Sequence, residues 1–222
     1  MMKRIPNRME KAVMDSEKRK RENQRGNAIL EFAMVSIVLF PLLLGVVSLG
    51  VNLGHTTQTI QICRDAGHMY AKGVDFSQSG NQQVIVDIAS PMGITSATAG
   101  TGVVILSQIM QVYQDACTAA GVTSCSNLGS NVVINRIVIG NSTYTSHYAT
   151  PNPSLIDSSG NIGTGTNTTN GYLNDSSVVV ANLGTTLSEG QIVYLSEAYF
   201  STPDVSYLGG PASGGVYATT FF

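Results

Sequence analysis

Arg25-Gly26-Asn27-Ala28-Ile29-Leu30-Glu31-Phe32 opens the apolar run around which the rest of the chain is read. Residues 32–51 are twenty consecutive positions without a charge. At a rise of about 1.5 Å per residue, a helix of that length crosses the hydrocarbon of a bilayer. Glu31 stands at the mouth of the run. A carboxylate costs about 2.5–3.5 kcal/mol at the centre of a membrane and less near its surface, so an acid at this place asks for a functional reason.

Charge is distributed unevenly on the two sides of the run. Nine of the twelve basic residues precede Asn27, while the region after Val51 holds only Arg64, Lys72 and Arg136 against nine acids, a formal net of −6. The positive-inside rule therefore predicts a single-pass protein of the inner (cytoplasmic) membrane, with the N-terminus in the cytoplasm and everything after Val51 outside. A nucleic-acid partner is not expected, because a reader of nucleic acid needs its basic residues on the folded domain. Residues 1–26 are polar and basic and read as a cytoplasmic leader. An ordinary secretory signal has a shorter apolar core, of about 7–15 residues, with a small-x-small cleavage site beyond it.

The apolar run predicts a helix from residue 28, with Pro41 inside it. Proline removes a backbone donor and crowds the carbonyl of Ile37, so a kink or local loosening is expected there. Past the membrane, Leu53, Ile60, Cys63, Gly67 and Tyr70 recur at helical spacing, which extends the helix to about Lys72 with Gly73 as its stop. The resulting division is a leader over 1–26, a transmembrane helix over 27–51, a helical extension over 52–73 and a β-rich domain over 74–222.

Within that domain a short helix is expected around 82–90, broken at Pro91 and Gly93. Residues 102–113 and 131–141 are rich in valine and isoleucine and read as strands; an amphipathic helix over 103–117 competes for the first, because an apolar run alone does not settle the period. Residues 142–177 are dominated by Ser, Thr, Asn and Gly and read as a long exposed loop. Strands are expected again at 177–182, at 191–200 with a stop near Pro203, and at 216–222. Five strands after a long helix predict an α+β fold, one antiparallel sheet covering the outer half of the helix.

Cys117 and Cys125 lie close together in the segment placed outside the cytoplasm, where a disulfide between them forms and persists; two free thiols are the alternative. Cys63 reads as a buried helical cysteine that packs as a small hydrophobe. A search for chemistry yields little. His55 and His68 are about 220° apart around a helix, His147 lies in the polar loop, and no metal site, cofactor site or catalytic residue is expected. The spacing Asp157-x-Ser159-x-Asn161-x-Gly163 is that of a calcium loop with one carboxylate and without the late bidentate glutamate, for which a solvated turn is the alternative.

A basic leader, Gly26, a new N-terminal residue at Asn27, Glu31 at the fifth position of the product and a long apolar helix together resemble a class III prepilin signal. The stretch Asn27-Ala28-Ile29-Leu30-Glu31-Phe32-Ala33, with Pro41 further along, is similar to the mature N-termini of TadE-like pseudopilins. Cys63-Arg64-Asp65-Ala66-Gly67 resembles the small-residue patch after the membrane helix in that family, with Cys63 and Gly67 in place of the more usual types, and residues 193–203 resemble its late strand. The likeness is strong over 25–51, moderate over 52–73 and thin elsewhere.

This resemblance implies a pilin-like fold and a minor subunit of a tight-adherence (Tad/Flp) pilus. It further implies cleavage by a prepilin peptidase between Gly26 and Asn27, with Glu31 and Phe32 at the assembly surface. The partners it implies are the membrane, the peptidase, other pilin or pseudopilin subunits and the Tad assembly machinery. Cleavage frees an amine at Asn27, one helical turn from Glu31 and on the same face, where the carboxylate pairs with it or with the amine of a neighbouring subunit. The competing reading is a single-pass anchored binding or adhesive protein that keeps its cytoplasmic tail. A tethered enzyme is disfavoured by the lack of a nucleophile, paired acids or metal cluster.

Overall fold

The structure is a computed structural model that describes residues 8–184, 187–202 and 214–222, without the side chains of 20–26. The chain divides into two compact units, Met1–Val51 and Asn52–Phe222. The first contains most of helix α1, which spans Arg8–Ala71 and includes Pro41. Helix thus begins well upstream of the expected start at residue 28. Lys, Arg and Glu are good helix formers, and Lys11, Asp15 and Arg19 recur four residues apart, the spacing at which opposite charges favour a helix.

The second unit begins with residues 52–71 of α1 and is an α+β domain. Helix α1 ends where expected: Gly73 takes φ +86, and the Gly73 amide donates to the Tyr70 carbonyl at 3.0 Å. Its buried stripe is Thr59, Ile62, Cys63, Ala66, Gly67 and Tyr70, a run of three- and four-residue steps. Leu53 and Ile60, expected on this face, are 69% and 46% exposed. A seven-residue step drifts by about 20° around a helix of 3.6 residues per turn, so Ile60 and Leu53, one and two such steps before Gly67 at the edge of the stripe, fall outside the face that Ile62 and Ala66 define.

Helix α2, Ser79–Ala89, lies close to the expected position, and a three-residue 3-10 turn carries Pro91 to Gly93 at φ +98. A small hairpin of β1, Ile94–Ser96, and β2, Ala99–Gly100, follows. The main sheet has four antiparallel strands, β3 (Gly102–Gln111), β4 (Asn131–Gly140), β5 (Ile192–Thr202) and β6 (Gly214–Phe221), in the order β4-β3-β5-β6. The helical alternative for 103–117 is replaced by β3, with a short helix α3, Gln114–Ala119, after it. Strand β3 is central and buried on both faces for most of its length. It therefore shows a continuous apolar run instead of an alternation. The expected stop near Pro203 lies outside the described residues.

Alternation along the strands creates two cores. On one face Val104, Leu106, Ile139, Ala198, Phe200 and Ala218 pack with Ile62, Cys63, Ala66 and Tyr70 of α1 and with Ile85 and Ala89 of α2. Each fully buried large side chain here contributes about 1.5–3 kcal/mol. On the other face Ile109, Val132 and Leu195 pack against Ile162, Leu173, Val178 and Val180. The segment expected as an exposed loop is therefore a folded cover. It also bonds to the outer edge of β4, through the amides of Ile162 to Ile134 O at 2.9 Å, Arg136 to Gly160 O at 2.7 Å and Val180 to Asn131 O at 2.8 Å. The strand expected at 177–182 is instead a 3-10 turn, Ser176–Val178, with a single bridge from Val179 to Val132.

The disulfide Cys117–Cys125 is formed and ties α3 to the following turn. Cys63 is free and buried, its thiol donating to Ser196 O at 3.2 Å, and burial pushes its pKa up.

Candidate assembly segment and outer-face cleft

Two places carry chemistry. The first is the N-terminal segment. Gly26, Asn27, Glu31 and Phe32 all lie within α1, and Asn27 to Phe32 are exposed, Phe32 by 69%. Asn27 and Glu31 are four residues apart, hence neighbours on the helix surface. The helix beyond them is long and apolar enough to cross a membrane, with a mean hydropathy of 2.6 over its most apolar window and none of that window buried. Its exposed side chains include Ile37 at 73% and Leu49 at 72%. A continuous apolar surface of this extent is rare on soluble monomers and marks a membrane or protein interaction site. The Ser36 hydroxyl donates to Phe32 O at 2.7 Å, so that polar group is satisfied within the helix, as a lipid environment requires.

The second place lies on the sheet face opposite α1. Cross-strand register sets Ile105 beside Glu197 and Tyr199 beside Tyr217. Glu197 is 1% exposed. Its carboxylate accepts from the Ser146 hydroxyl at 2.5 Å, the His147 amide at 2.9 Å and the Tyr217 hydroxyl at 2.7 Å. An ionised carboxylate this deep is tolerated only when its lone pairs are filled, and here neutral donors fill them. Arg136, on the same face, donates to Ala149 O at 2.7 Å and reaches Glu197 only by longer-range attraction. Burial lowers the pKa of Arg136 and Glu197 partly offsets that effect. Burial, the hydrogen bond to Glu197 and its charge push the Tyr217 hydroxyl above the usual tyrosine range.

Above this carboxylate the 143–147 turn leaves a cleft of about 320 Å³ lined by Tyr144, His147, Tyr199, Tyr217 and Glu197 over a floor of Val103 and Ile105. Its aromatic walls come in two pairs. Tyr144 and Tyr199 have ring centroids 4.5 Å apart at 44°, and His147 stacks on Tyr217 at 4.2 Å and 10°.

None of these cleft residues was singled out as a site in the sequence. The available signal was Glu197 itself, one carboxylate in the otherwise uncharged stretch Val193-Tyr194-Leu195-Ser196-Glu197-Ala198-Tyr199-Phe200. The processing and assembly residues belong to the first unit and the cleft residues to the second. Among the described residues no group of three or more His, Cys, Asp or Glu is gathered as a metal site. The Asp157 carboxylate closes its own turn, accepting from the amides of Ser159 and Asn161, each at 2.8 Å. Comparison with protein-family models, with curated proteins and with solved structures finds no match.

Proposed function

We propose that this chain is a minor pseudopilin of a tight-adherence (Tad/Flp, type IVc) pilus, a structural and assembly subunit matured by a prepilin peptidase after Gly26. The observation that carries this reading is Glu31, a lone acid at the head of an unburied apolar helix directly behind a basic leader. Removal of the leader places a free amine at Asn27 within reach of Glu31. In lipid, a carboxylate at this level favours partners that present an amine in register. It also complements the positive end of the new helix.

Three further features support the reading. The basic residues before Asn27 favour an N-terminus in the cytoplasm. The disulfide Cys117–Cys125 favours a second unit outside it, in an oxidising compartment. An antiparallel sheet packed on the helix at 59–70 is compatible with a pilin-like fold. In this arrangement the inner membrane holds the subunit before assembly, and the sheet domain meets other subunits and the Tad machinery.

Expression of Glu31→Ala beside the intact chain in a host with the assembly machinery tests the proposal. Both forms insert in the membrane, and the variant is depleted from sheared pilus fractions. Equal incorporation of the two overturns the pairing argument. The second reading, an anchored binding protein that retains residues 1–26, is favoured by the cleft over Glu197; it requires the leader in the mature protein.

A further inference from the structure

We infer that the cleft on the outer face of the sheet is a binding site for an organic ammonium group, seated between the Tyr144–Tyr199 and His147–Tyr217 ring pairs above the Glu197 carboxylate. This inference does not depend on the pilus reading and stands or falls separately from it.

The chemistry follows from what lines the cavity. Four aromatic rings and one carboxylate converge on about 320 Å³, a volume at the small end of ligand sites. Aromatic faces are negative and attract cations, tyrosine among the better ones, most strongly where water is excluded. Glu197 is the only carboxylate among the lining residues, and neither lysine nor arginine is among them. Its three donors are uncharged groups, and Arg136, which feels its charge, is turned to a backbone carbonyl. The buried negative charge is thus hydrogen-bonded without being neutralised at close range, which leaves the cavity attractive to a cation and hostile to an anion. The remainder of the second unit reinforces this sign, since eight further acids against three basic residues give it a net negative field.

An organic ammonium fits better than a metal ion. A hard cation needs several oxygen ligands, and Glu197 supplies the single carboxylate, its oxygens already engaged. A methylated or alkyl ammonium instead gains from contact with rings and from the floor of Val103 and Ile105. The organic ammonium has two sources, a free small cation such as choline or a lysine side chain on a partner protein.

The test is titration of the full chain in detergent, followed by tyrosine fluorescence and calorimetry, with choline, Nα-acetyl-lysine methylamide and 3,3-dimethylbutanol, the last an uncharged isostere of choline. At least one cation binds, and the uncharged isostere binds about tenfold more weakly or not at all. Preference for choline assigns a small-molecule ligand, and preference for the lysine derivative assigns a partner side chain. Tyr144→Ala, a ring on the covering turn, weakens cation binding by about tenfold while the melting temperature is kept. Glu197→Gln abolishes the preference for the cation over its isostere; Tyr144→Ala carries the test if that variant fails to fold. Equal binding of cation and isostere, no binding of either cation, or unchanged affinity in a folded Tyr144→Ala overturns the inference.

Discussion

The hydroxyl of Tyr70 donates to Oδ1 of Asn135 at 2.6 Å, joining the end of α1 to the edge strand β4. Asn135 passes the connection on, its amide donating to Asn161 Oδ1 at 2.7 Å and to Ser159 O at 3.3 Å. Helix, sheet and covering segment therefore share one chain of hydrogen bonds, buried at Tyr70 and Asn135 and reaching the surface at Ser159 and Asn161. Tyr70→Phe removes a donor and leaves a nearly buried acceptor unfilled, a loss of about 1–2 kcal/mol. Thermal melts of the full chain in detergent measure it, and an unchanged Tm means that the chain of bonds adds nothing.

The same tyrosine sets an alkaline limit. Burial above all pushes the Tyr70 hydroxyl, and burial with Glu197 the Tyr217 hydroxyl, above the ordinary tyrosine value of about 10. A raised folded-state pKa gives stability that is complete below the unfolded value and is lost as pH rises toward the folded one. On this account stability is level from neutral pH to about 10 and falls beyond it. Tyr70→Phe and Tyr217→Phe each flatten the alkaline limb of a Tm-versus-pH curve, and an identical limb in the double variant contradicts the assignment.

Gly67 tests how closely α1 lies on the sheet. A Cβ there would sit 2.5 Å from a ring carbon of Phe222 and 2.7 Å from Cβ of Ser196, whereas one at Gly54 meets nothing within 4 Å. Alanine gains up to about 1 kcal/mol of helix propensity at either site. Overpacking costs about 1–3 kcal/mol at Gly67. Gly54→Ala therefore raises Tm and Gly67→Ala lowers it, and a rise in both means the helix stands off the sheet.

The disulfide is the covalent tie of the second unit. It closes a short loop, so its removal costs about 2–3 kcal/mol by the chain-entropy estimate. Cys117→Ala with Cys125→Ala lowers Tm, and reductant lowers the Tm of the intact chain but not of the double variant. Sensitivity to reductant that persists in the double variant would point to another thiol.

Much of this architecture is legible before any coordinates. The strands at 102–111 and 131–140 announce themselves by β-branched density, and α1 ends at the glycine that reads as its stop. What escapes reading depends on partners remote in sequence. Ile162 and Leu173 are scattered apolar residues in a Ser-, Thr-, Asn- and Gly-rich segment, so no period marks their burial against Ile109 and Leu195, and the valine run at 178–180, which reads as a strand, is buried with them on a 3-10 turn and a single bridge. Glu197 meets Ser146 and His147 about fifty residues away and Tyr217 twenty away. Only the strand register and the path of the covering turn bring them together. On α1 the helical spacing marks Cys63, Gly67 and Tyr70 of the buried face and leaves Thr59, Ile62 and Ala66 unmarked.

The proposed function rests on processing between Gly26 and Asn27, and the mature N-terminus tests it most directly. The full chain is coexpressed with a prepilin peptidase and its N-terminal peptide is read by mass spectrometry. The account predicts a product that begins at Asn27, lost when the peptidase is inactive. A chain that still begins at Met1 in the presence of active peptidase contradicts it.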